Sequence, residues 1–123
     1  MPVRSLGSSI LRWPSAEEVR RATTAWAAAE APRHPGLVRL GYYGSYARGD
    51  AGVGSDLDLV AIVESSADSF ERRALAWDTL SLPVPASIVV YTIAEWERMR
   101  TGGGRFLRTL ERESVWLVTI QAR

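Results

Sequence analysis

From Ser15 onward the chain alternates between helical and strand-like spacings of its apolar residues. Val19, Ala22, Trp26 and Ala29 recur at helical spacing behind Ser15-Ala16-Glu17-Glu18, a capping box in which Ser15 and Glu18 satisfy the first free amides. Pro32, Pro35 and Gly36 end that helix. Leu37 to Tyr43 reads as a first strand and Asp56 to Val63 as a second, with Leu57, Leu59, Ala61 and Val63 on its core face. Ser66 to Leu80 is predicted as a second amphipathic helix, with Phe70, Ala74 and Trp77 turned inward. Pro83 and Pro85 introduce Ala86 to Tyr91, whose β-branched residues predict a third strand. Thr92 with Glu95 is another capping box, opening a helix through about Arg100. Thr101 to Gly104 breaks the chain before a short helix, Arg105 to Glu113, and a last strand, Val115 to Ile120. Residues 1–14, ending at Trp13-Pro14, read as an extended arm, and 15–123 as one domain. Strands alternating with helices predict an α/β sheet covered by helices.

Composition removes several function classes. The net charge of +1 gives no whole-chain reason to expect direct nucleic-acid or membrane binding. No apolar run approaches a membrane span, and with no cysteine the expected location is cytoplasmic, without disulfides or a thiol nucleophile. All fifteen Lys+Arg positions are arginine, which excludes a Walker-type phosphate loop and Schiff-base chemistry. The one histidine, His34, lies in the loop-like run Ala31-Pro32-Arg33-His34-Pro35-Gly36 and reads as a surface imidazole.

The chemistry concentrates in Gly44-Ser45-Tyr46-Ala47-Arg48-Gly49 and Ser55-Asp56-Leu57-Asp58-Leu59. Residues two apart on a strand share a face, so Asp56 and Asp58 present their carboxylates together. Two like charges there cost free energy unless a cation lies between them, and Mg²⁺ favours such oxygen ligands. Gly44-Ser45 follows a strand and opens a short helix, whose free amides and small hydroxyl suit a phosphate. Each piece also has a plainer reading. Acids decorate solvated strand faces, Gly-Ser is a common turn, and Arg48 has Asp50 nearby as a partner. Gly102 to Gly104 reads as a hinge rather than a phosphate cradle, and Tyr42, Tyr43 and Tyr46 as core rather than base-stacking residues. The combination at this spacing points to a nucleoside triphosphate.

These residues resemble the signature of the DNA-polymerase-β-like nucleotidyltransferase superfamily, and the fuller form resembles its small prokaryotic branch, the minimal nucleotidyltransferases. The resemblance implies a polymerase-β palm-like fold, a mixed β-sheet with flanking helices. It implies that Gly44, Ser45 and Arg48 hold the nucleotide, and that Asp56 and Asp58 are the catalytic pair binding Mg²⁺ or Mn²⁺. It also implies a third carboxylate at the start of the next core strand, where this chain has Ser87; Glu64 and Asp78 are the substitutes to consider. Larger relatives carry a helical domain for the acceptor. In the minimal branch a separate HEPN-type protein takes that place, as the toxin of a toxin–antitoxin pair that receives AMP from ATP. Two functions follow as expectations: an adenylyltransferase acting on such a partner, or a weak or inactive nucleotide-binding antitoxin or sensor that acts by occlusion. Apolar side chains of the arm and around Trp26 further lead to the expectation of a protein partner, a HEPN-type chain or a second copy.

Overall fold

The structure, a computed structural model, describes residues 12–120, so residues 1–11 of the expected arm lie outside it. Helix α1 (Ala16–Glu30) begins as the capping box requires, with Ser15 N–H donating to Glu18 Oε1 at 2.7 Å and Glu18 N–H to Ser15 Oγ at 3.0 Å. A 3-10 turn over Ala31–Arg33 follows. Strand β1 (Leu37–Tyr43) leads through the four-residue helix α2 (Ser45–Arg48) and a loop to β2 (Leu57–Val63). A 3-10 helix (Phe70–Ala76) precedes β3 (Ala86–Thr92), α3 (Ile93–Gly102), α4 (Arg105–Glu113) and β4 (Val115–Thr119). The sheet order is β3-β2-β1-β4, with β2 and β3 parallel and β1 antiparallel to both β2 and β4. This is the expected mixed sheet with flanking helices.

Both faces of β2 are buried, because it is an interior strand covered on each side. Leu57, Leu59, Ala61 and Val63 pack with Val19, Trp26 and Ala27 of α1. Val60 and Ile62 pack on the opposite face with Trp96 of α3 and with Leu107 and Leu110 of α4. Asp58 belongs by alternation to this second face. Arg39, on β1, is accommodated here by cation–π contact, its guanidinium 4.4 Å from the Trp116 ring centre and 5.6 Å from that of Trp96.

Four expectations need correction. The buried stripe of α1 is Val19, Thr23, Trp26, Ala27 and Glu30, and Ala29 is exposed. Thr23 is tolerated inside because its hydroxyl donates to the Val19 carbonyl at 2.7 Å. Trp26 is itself buried, against Trp77, and needs no second molecule to cover it. The helix expected over residues 66–80 contracts to Phe70–Ala76, and Phe70 is 40% exposed. The reason is competition for backbone groups. Arg73 Nε donates to the Asp68 carbonyl, Trp26 Nε1 donates to the Asp78 carbonyl, and the Asp78 amide donates to Glu30. His34 is no surface group: its side chain is 14% exposed, stacked on Trp77 at 3.5 Å and 2.9 Å from Glu30 Oε2.

Arg73 ties the irregular connection to the sheet. Its guanidinium makes a two-point contact with Glu95, at 2.7 and 2.9 Å, and also donates to the Val90 carbonyl. That hydrogen-bonded contact holds the Glu95 carboxyl down to about 2, against its partial burial. A carboxyl with a lowered folded-state pKa stabilises the fold above its ordinary titration range and ceases to do so as pH falls through the lowered value. Glu95→Gln keeps an acceptor for the Thr92 amide but removes the charge, and should cost about 2 kcal/mol near pH 7. Urea denaturation of both proteins should show that difference shrinking as pH drops from about 4.5 toward 2. A difference constant over that range would mean that the ion pair contributes nothing.

Candidate active site

The antiparallel and parallel pairings bring the end of β1 and the starts of β2, β3 and β4 to one edge of the sheet. There a cleft of about 470 Å³ is lined by Gly44, Ser45, Arg48, Asp56, Asp58 and Glu113, with Tyr43 and Phe106 among its further walls. Asp56 precedes β2, which starts at Leu57 rather than at Asp56, and is exposed; Asp58, inside the strand, is half-buried. Tyr43 pairs in register with Asp58 across β1 and β2, and its ring packs edge-on against Phe106.

Gly44 decides how the parts meet. Its φ of 81° lies in the left-handed region, and a Cβ there would overlap the Asp58 carboxylate oxygen Oδ2. The Asp58 carboxylate therefore rests against the backbone of the Gly-Ser turn. The turn feeds directly into α2, whose last residue, Arg48, contacts Asp50 at 3.2 Å and Glu113 at 3.4 Å. Tyr42 and Tyr46 are core residues, as their plainer reading had it, while Tyr43 faces the cleft.

On β3, Ser87 is the register partner of Asp58 and is exposed. Neither substitute carboxylate comes near. Glu64 follows the far end of β2, its amide bonded to the Gly36 carbonyl before β1. Asp78 sits against Glu30 and Trp26, beside Trp77 at that same distant end.

A family model described as "Nucleotidyltransferase domain" matches residues 29–116. The chain belongs to this family. A candidate nucleotidyltransferase from Sulfolobus solfataricus, whose crystal structure is known, is similar in fold. It is 16% identical, with a TM-score of 0.60, over 85% of this chain and 83% of that one. A chain from a toxin–antitoxin structure with AMP-PNP is 15% identical, with a TM-score of 0.46, over 82% of this chain and 73% of that one. A comparison with curated protein sequences finds no match.

Within this nucleotidyltransferase domain the charge at the cleft is unbalanced. Asp56, Asp58 and Glu113 supply three carboxylates, and Arg48 is the one cationic residue among its lining. Burial pushes the Asp58 carboxyl up, the Asp56 charge adds to this, Arg48 opposes it, and Glu113 adds further. Burial, with the charges of Asp58, Tyr91 and Glu113 adding to it, pushes the Tyr43 hydroxyl to about 12, so Tyr43 stays protonated and is no base. An environment that penalises two adjacent carboxylates fits a hard divalent cation, which takes one or two of them and completes its shell with water and phosphate oxygens. Among the described residues no group of three His, Cys, Asp or Glu side chains forms a ready-made metal cage.

Glu113 escapes a motif reading, because it lies far along the chain from the signature. A weak signal exists: it ends α4, where the helix dipole disfavours a negative charge. Such a local conflict marks a residue held by something outside its own helix.

Two glycine substitutions separate strain from contact. Gly54, with φ 88° and open space around it, should lose only about 1–2 kcal/mol on change to Ala. Gly44→Ala meets the same strain plus the Asp58 overlap and should lose roughly 2–4 kcal/mol. Equal losses in denaturant titrations would show that Asp58 moves aside freely.

Proposed function

We propose that this nucleotidyltransferase domain is a minimal nucleotidyltransferase that binds a nucleoside triphosphate, most simply ATP, with Mg²⁺ and passes the nucleoside monophosphate to a hydroxyl of a partner protein. The observation that carries the reading is the seating of the Asp58 carboxylate against Gly44, which joins the Gly-Ser turn and the Asp56–Asp58 pair in one cleft. The motif's resemblance to the minimal branch supports a HEPN-type protein as the acceptor, and a toxin–antitoxin pair as the setting, in the cytoplasm.

In this reading Asp56 and Asp58 hold the divalent cation, which when bound neutralises phosphate charge and favours in-line displacement. Gly44, Ser45 and Arg48 hold phosphate oxygens by backbone amide, hydroxyl and guanidinium. The acceptor oxygen bonds to the α-phosphorus, the bond from that phosphorus to the α–β bridging oxygen breaks, and pyrophosphate leaves. The hydroxyl's proton passes to water, because Tyr43 is held protonated and Ser87 offers no carboxylate.

Ser87 favours a second reading, a nucleotide-binding antitoxin or sensor that acts by covering its partner. A base in that place is worth about 10²–10⁴-fold where one operates. Both readings require binding. Mg-ATP should raise the Tm of the wild-type protein by mass action. The Asp56→Asn, Asp58→Asn double variant should lose the Mg²⁺-dependent part of that rise, and an unchanged rise would reduce the pair to a solvated strand face.

Transfer distinguishes the two. With α-labelled ATP, Mg²⁺ and the HEPN-type partner, Ser87→Asp should increase labelling of the partner and tighten Mg²⁺ binding. It should also lower the metal-free Tm, through repulsion from Asp58 in the adjacent register position. No gain in either labelling or metal affinity would remove Ser87 from the site.

A further inference from the structure

We infer that Glu113 is an internal competitor for the triphosphate: its carboxylate occupies the groups that phosphate must reach, and nucleotide binding displaces it. This rests on the nucleotide-binding reading above. Glu113 Oε2 accepts from the Gly44 amide at 2.8 Å and from Arg48 Nη1 at 3.4 Å. These are two of the donors assigned to the phosphates, and one oxygen of Glu113 takes both.

A backbone amide has one hydrogen, and at 2.8 Å it is already committed to one acceptor. A phosphate oxygen that takes the Gly44 hydrogen bond must therefore stand where Glu113 Oε2 now stands. The Arg48 guanidinium is engaged in part, its Nε by Asp50 and its Nη1 by Glu113, with its other N–H donors free among the described residues. Electrostatics adds to the steric conflict. Glu113 is only 12% exposed, so its charge is poorly screened, and it faces an incoming polyanion across a cleft already holding Asp56 and Asp58. A divalent cation on the aspartates offsets their charge but does not free the Gly44 amide.

The placement also argues against Glu113 as a replacement for the third carboxylate. It bonds the turn and Arg48 rather than joining the aspartates, and no three-acid cluster able to hold a metal forms among the described residues. Glu113 ends α4 and lines the cleft, so it can be displaced as a side chain of the cleft wall rather than of a strand.

The test is a pair of measurements on Glu113→Gln, with Glu113→Ala as the second variant. Glutamine keeps the size and an acceptor for Gly44 but loses the charge. The metal-free Tm should fall in both variants, since stabilising contacts to Gly44 and Arg48 are weakened or lost. Affinity for Mg-ATP, by isothermal titration calorimetry, should instead tighten by roughly 3- to 10-fold in the glutamine variant. Opposite signs of the two effects are the signature of a displaced competitor. If wild-type protein binds Mg-ATP and both variants bind it equally or more weakly, Glu113 only braces the turn and the inference fails alone. Binding by the variants without binding by the wild type would support it most strongly. If none of the three proteins binds Mg-ATP, the nucleotide reading itself falls.

Discussion

The site depends on one absent side chain. Gly44 turns the chain from β1 into α2 at a φ of 81°, and with no Cβ it leaves the space that the Asp58 carboxylate fills. Any larger residue would push the turn and the acid apart, because a Cβ at Gly44 would overlap Asp58 Oδ2. The surrounding sheet fixes both partners. Gly44 directly follows Tyr43, and Tyr43 is the register partner of Asp58, so an antiparallel ladder sets their approach. Register in a strand buried on both faces resists slipping, because a one-residue shift would send Val60 and Ile62 to the wrong layer.

That same alternation explains how a strand made for the interior can carry acids. Positions 58, 60 and 62 share a face, and the two inner ones lie under α3 and α4. Asp58 comes just where that cover ends, so its charge is half-buried rather than enclosed. Deeper placement would make the carboxylate protonate; full exposure would let water screen it from any cation. The rim of the core is the place where a carboxylate stays available and still feels its neighbours.

Much of this was legible from local chemistry. Both capping boxes specify their own hydrogen bonds, and Ser15/Glu18 and Thr92/Glu95 form them as read. The bounds of α4 follow from Gly104 before it and the β-branched run after it, and those of β1 from its apolar run, while β2 starts and β3 ends one residue later than read. The attention to Ser87 came from the family resemblance, and the sheet register pairs it with Asp58. What failed was whatever depends on partners distant in sequence. The segment 66–80 has helical periodicity, but Trp26 and Glu30 of α1 claim both backbone groups of Asp78, and Arg73 claims a carbonyl before it. His34 looked like a surface residue because Glu30 and Trp77 are needed to see it as largely covered. Glu113 went unread for the same reason: its two partners lie 69 and 65 residues away.

These misses share a logic with the site itself. The signature residues are close in sequence because a strand–turn–helix unit followed by a second strand suffices to bring the Gly-Ser turn and the acids together. Control of such a site requires contact from another element, and α4 returns to it only after the chain has crossed the sheet and packed Leu107 and Leu110 on its second face. Those two leucines fix the helix, and Phe106 and Glu113, two turns apart on one of its faces, are thereby delivered to the cleft. A motif can thus be in place while a residue outside it, Glu113, holds the amide of its turn and its arginine. The apolar face of α4 places the helix, and its end carries Glu113 to the backbone and arginine of the motif's turn.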